Sequence, residues 1–98
     1  MPFCYIIHSQ KLNKFYIGAT NESVDNRIKK HNDKTYGNHR FTAKADDWKL
    51  FVAFETNSYD HAIRIERKIK SMKSSKYIRN IIKYPELKNK IFNETLKS

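Results

Sequence analysis

Cysteine, glycine and proline are scarce in this chain, and the shortages close off whole classes of protein. Cys4 is alone among 98 residues, so no intrachain disulfide can form, and the composition suits a reducing compartment. Glycine occurs only at 18 and 37, too few for a phosphate-cradling P-loop or a dinucleotide fingerprint. There is no Gly-x-Ser-x-Gly elbow, and the histidines at 8, 31, 39 and 61 form no zinc spacing with Cys4,. No apolar run nears the ~18 residues of a membrane span, and the start MPFCYIIH lacks the basic segment of a secretory signal,. The expectation is a soluble cytoplasmic protein with no membrane partner.

Negative charge is also in short supply. Ten Asp and Glu face twenty Lys and Arg, a net charge of +10, beyond the ~2–8 that solubility asks of a small domain. A polyanion is the expected partner. The excess is concentrated: residues 60–83 hold eight basic and two acidic side chains, whereas residues 35–59 are neutral. Lys68, Lys70, Lys73, Lys76 and Arg79 are therefore the expected nucleic-acid contacts, drawn to phosphates without regard to sequence. Six Phe, six Tyr and one Trp argue against disorder, since that much aromatic surface favours a packed core.

The chain reads as one domain over residues 1–98, with a core at 3–82 and a helical extension at 83–98. Phe3 to His8 and Phe15 to Ala19 are rich in aromatic and β-branched residues and predict two strands of a hairpin. If its loop is Ser9 to Lys14, His8 faces Phe15, Ile7 faces Tyr16 and Tyr5 faces Gly18, which puts both tyrosines on one face. Thr20, Asn21 and Ser23 offer caps for a helix ending near Asn32. Asp33 to Asp47, with Gly37, reads as a loop. Trp48 to Glu55 is apolar enough to be the central strand. Asn57, Ser58 or Asp60 caps a helix with a stripe at Ala62, Ile65, Ile69 and Met72. Ser74 or Ser75 starts another, broken at Pro85, and Glu86 to Leu96 forms a last short helix. The fold class is α+β: a small three-stranded antiparallel sheet flanked by helices, ββαβα with an extra C-terminal helix.

Some charged residues sit where core residues belong. On a wheel of ~100° per residue, Arg27 and His31 share an arc with Val24 and Ile28. A guanidinium there must meet an anion or snorkel to water. Glu66 lies beside its helix's apolar stripe on the flank of Lys70 and Lys73. It reads either as an i,i+4 ion pair or as a carboxylate facing a cleft.

Cys4-Tyr5-Ile6 and then Tyr16-Ile17-Gly18 after a short hairpin resemble the GIY-YIG nuclease superfamily. The likeness is closest to small stand-alone members related to the N-terminal domain of the excision-repair nuclease UvrC. It runs on through Arg27, His31, Phe41-Thr42, Trp48-Lys49-Leu50 and Ala62-x-x-x-Glu66. Phe3 stands where the family name has its first glycine, and Ala19 follows the second motif where many members carry Lys. The resemblance implies a DNA-cleaving, metal-dependent phosphodiesterase. By it, Glu66 binds one Mg²⁺ or Mn²⁺, Arg27 holds the scissile phosphate and His31 assists. Tyr5 or Tyr16 helps deprotonate the attacking water. A homodimer or a partner protein would supply whatever specificity the substrate demands. The rival readings are a non-catalytic DNA- or RNA-binding module on the same scaffold and a basic structural protein bound to RNA. The first gives no reason for a carboxylate in a positive cleft, and the second none for the tyrosine pair.

Overall fold

The structure, a computed structural model, describes residues 1–34 and 41–96; Gly37 of the expected loop lies outside them. Three strands, β1 (Phe3–Ser9), β2 (Lys14–Thr20) and β3 (Lys49–Glu55), make one antiparallel sheet in the order β2-β1-β3. Helices α1 (Val24–Asn32), α2 (Tyr59–Met72), α3 (Ser75–Lys83) and α4 (Pro85–Glu94) flank it, with a 3-10 turn at Phe41–Lys44. Among the described residues no helix is long and apolar enough to cross a membrane.

The hairpin has the expected register, with Tyr5 opposite Gly18, Ile7 opposite Tyr16 and His8 opposite Phe15. The centre of the sheet is different. β1, not the Trp48–Glu55 segment, is central, and β3 is an edge strand. Burial explains this: Cys4, Tyr5, Ile6 and Ile7 are all covered, so β1 is the strand packed on both faces. β3 instead leaves Lys49, Leu50 and Glu55 in solvent. It also carries a bulge: Ile6 pairs with Val52 but Ile7 pairs with Leu50, so Phe51 is an extra residue. A bulge resets the alternation of faces. Phe51 accordingly joins Phe15, with ring centroids 4.9 Å apart.

The two faces of the sheet carry separate cores. Cys4, Ile6, Ile17, Val52 and Phe54 pack on Ala62, Ile65 and Ile69 of α2 and on Ile78, Ile81 and Ile91 beyond it. Tyr5, Ile7, Val24, Ala45 and Trp48 form the other core, under α1. Serines at 23, 58 and 74 cap α1, α2 and α3 by accepting a backbone N–H three residues on, each contributing about 1 kcal/mol. Pro85 opens α4 at a position where its missing N–H costs nothing,.

Burial pushes the Cys4 thiol up, and the negative charge of Glu66 adds to the shift while Lys70 opposes it. A thiol this far from ionising is a poor nucleophile. Cys4 should therefore not react with a disulfide reagent such as Ellman's in the native protein, and should react fully once guanidinium unfolds it.

Candidate active site

The face of the sheet under α1 collects most of the residues that seemed misplaced in the sequence. Tyr5, fully buried in mid-sheet, places its hydroxyl 2.9 Å from Nε2 of His31. Arg27, one turn before His31 on α1, donates to the same hydroxyl through Nε and Nη2 in long contacts of 3.4 Å each. A guanidinium can only donate. The phenolic oxygen therefore accepts from Arg27. Nδ1 of His31 lies 2.8 Å from Oγ1 of Thr42, so the imidazole is held between the Tyr5 and Thr42 hydroxyls. The result is a connected chain, Arg27–Tyr5–His31–Thr42, with only its Arg27 end half-exposed.

Thr42 is held in turn. Its carbonyl accepts from the Trp48 indole at 2.8 Å. The Asn32 side chain clasps the backbone N–H and C=O of Trp48 at 2.8 and 3.1 Å. The end of α1 and the start of β3 are thus locked across the loop that carries Thr42. Sequence reasoning placed Thr42 only by likeness and did not find Asn32, because nothing in their spacing ties either to the site.

Tyr16 completes the cluster. Its ring lies 5.0 Å from that of His31 and 6.4 Å from that of Tyr5, and it is half-buried where Tyr5 is sealed. Gly18 makes the arrangement fit. A Cβ there would lie 2.5 Å from the Tyr5 hydroxyl and 2.6 Å from Cζ. Tyr5 cannot swing aside without releasing His31 and Arg27. Gly18→Ala should therefore cost about 1–3 kcal/mol and lower the melting temperature by roughly 5–15 °C, read by thermal unfolding.

Arg27 also lines an open cleft of about 400 Å³ with Ala19, Thr20, Asn21, Glu22 and Tyr59. Glu22 is engaged by Lys30 at 3.0 Å. The cleft lies around the free edge of β2, since Arg27 comes from α1 on one face and Tyr59 from α2 on the other. Tyr59 and Asn21 were not expected from the sequence.

Glu66 stands on α2, across the sheet from the Tyr5–His31 pair. It is seven residues after Tyr59, about two turns, so both project from one side of α2 about 10 Å apart along the axis. Its charge is felt at Cys4, and Cys4 pairs with Ala19 of β2. α2 packs on one face of the sheet and α1 on the other, so Glu66 and Arg27 stand on opposite sides of it. Oε2 of Glu66 takes the Lys70 ammonium at 2.5 Å, with the glutamate side chain 21% exposed. Among the described residues no three His, Cys, Asp or Glu come together as a metal cage. A lone carboxylate still fits Mg²⁺, which keeps several waters and takes one or two carboxylates plus a substrate phosphate. An exposed i,i+4 pair contributes only ~0.3–0.5 kcal/mol, so an arriving divalent ion can displace Lys70 at little cost.

The expected phosphate contacts spread over two helices. Lys70 and Lys73 flank Glu66, and Lys73 ends α2 in the left-handed conformation with φ 48°. Lys76 is exposed on the first turn of α3. Lys68 turns to Glu94 of α4 at 3.4 Å. Arg79, one turn on from Lys76 in α3, lies over the Phe15 ring, 5.0 Å from its centroid.

Compared with known proteins, residues 1–78 match the family model of the GIY-YIG catalytic domain. No curated protein and no solved structure matches the chain.

Proposed function

Since the chain belongs to the GIY-YIG catalytic domain family, a nuclease-type domain, we propose that it is a metal-dependent endonuclease hydrolysing phosphodiester bonds in DNA. The observation that carries this reading is the Arg27–Tyr5–His31 chain opening into the cleft at the β2 edge. Attack on a phosphodiester builds negative charge on the non-bridging oxygens, and a guanidinium already fixed in place stabilises it without reorganising. Arg27 is that group. Tyr5 is a positioning residue: it orients the guanidinium and is itself held by His31. Tyr16, the more exposed tyrosine, reaches the attacking water and helps remove its proton. Glu66 holds one Mg²⁺ or Mn²⁺, which supplies Lewis-acid stabilisation of the phosphate charge.

The wall around Glu66 sets the substrate class. Lys70, Lys73 and Lys76 meet phosphates as point charges and rarely read base edges as arginine forks do. Sequence specificity is therefore limited. Purified protein incubated with supercoiled, linear and single-stranded DNA should cut in Mg²⁺ or Mn²⁺ and not in EDTA. Salt-sensitive binding with no cut in either metal would leave only a basic binding module.

A further inference from the structure

The other face of the sheet carries a second cleft that the catalytic chain does not use. It lies between the hairpin end of the sheet and α3, has a volume of about 440 Å³, and is lined by His8, Lys49, Phe51 and Arg79 among others. His8 is three residues along β1 from Tyr5, so the cleft sits about 10 Å away along the strand and on the opposite face. Its size falls in the ~300–1,000 Å³ range of small-ligand sites.

Its walls have a particular chemistry. His8, Phe15 and Phe51 form a ring cluster, with centroids 4.7 Å apart for His8–Phe15 and 4.9 Å for Phe15–Phe51. The bulge in β3 is what brings Phe51 to this side,. Arg79 lies over Phe15, its Cζ 5.0 Å from the ring centroid. Among the described residues neither Arg79 nor Lys49 makes an ion pair. The lining carboxylate, Asp47, is already engaged by the Ser9 hydroxyl at 2.6 Å and the Lys11 N–H at 3.0 Å. Nε2 of His8 is the one buried side-chain polar atom among the described residues without a hydrogen-bond partner. Such an atom is costly unless something satisfies it.

Aromatic rings and a stacked guanidinium offer flat faces to a base, and two cations without acidic partners offer contacts to a phosphate. We infer that this cleft binds a single unpaired nucleotide, its base against Phe51 and Arg79 and its phosphate on Arg79 and Lys49. The base also brings polar edge atoms within the surroundings of His8. The ligand class follows the nuclease reading, but the site shares no residue with the Arg27–Tyr5–His31 chain or with Glu66.

The test is a titration with adenosine 5′-monophosphate, read from the ring carbon–proton signals of His8, Phe15 and Phe51 by NMR. These should shift and saturate. Adenosine and inorganic phosphate should each bind at least tenfold more weakly, because each supplies half the contacts. Arg79→Ala and Lys49→Ala, both at exposed positions, should each weaken the nucleotide about tenfold. A trideoxyadenylate that binds tighter than the mononucleotide assigns the ligand to a strand; the reverse order assigns it to a free nucleotide. Shifts confined to His31 and Tyr16, phosphate binding as well as the nucleotide, or unchanged affinity in both variants would overturn the inference. Cleavage is not the readout, so an inactive enzyme would leave the result standing.

Discussion

Glu66→Gln should lower the rate of DNA cleavage by about 10³-fold, roughly 4 kcal/mol of transition-state stabilisation. The amide keeps the shape of the side chain but gives a divalent ion no charge to bind. The side chain lies on the flank of α2, paired with the exposed Lys70, so the fold should persist. DNA affinity should hold or rise, because one negative charge leaves a positive wall. Those three readouts together separate loss of a metal ligand from loss of structure. The ion pair adds a second arm. Lys70→Ala removes the ammonium that competes for Oε2, so the Mg²⁺ concentration giving half-maximal rate should fall. An unchanged metal requirement in Lys70→Ala would mean that the carboxylate is not where the ion binds.

Arg27→Ala should cost about 10²–10³-fold in kcat, the usual loss when one preorganised donor to a transition-state oxyanion is removed. Arg27→Lys should recover little of it. Lysine can supply the charge but not a planar fork gripped by the Tyr5 hydroxyl through two of its N–H groups,. Substrate affinity should change far less than rate. Removing one phosphate contact lowers the salt slope of binding by only about 0.9. A KM that rises with an unchanged kcat would assign Arg27 to general attraction for DNA.

Much of the site was legible before the fold was known, and the reasons are local. The hairpin register follows from a short loop and a side-chain period of two, so Tyr5, Tyr16 and Gly18 could be set on one face,. The caps at Ser23, Ser58 and Ser74 and the stripe at Ala62, Ile65 and Ile69 follow from helical spacing, whereas Met72, expected to continue the stripe, is exposed at the end of α2. Arg27 and His31 stood out because they interrupt an apolar arc. Strand order was not legible: an apolar run says that a strand is buried, not which neighbours bury it, and β1 turned out to be covered on both faces while β3 was not. The bulge at Phe51 has no glycine or proline to announce it. Thr42 meets His31 across a loop, which depends on the Asn32–Trp48 clasp, a contact between segments with no shared periodicity. That Arg27 and Glu66 lie on helices packed against opposite faces of the sheet is likewise a property of packing.

Whether they form one site is best tested by a double-mutant cycle. Single-turnover cleavage of supercoiled DNA would be followed at saturating Mg²⁺ for the wild type, Arg27→Ala, Glu66→Ala and the double variant. Groups that stabilise the same phosphate in the same transition state are strongly non-additive. The double variant should be no more than about threefold slower than the slower single one. Losses that multiply, or Glu66→Ala cutting at the wild-type rate, would contradict a single site assembled around the edge of β2.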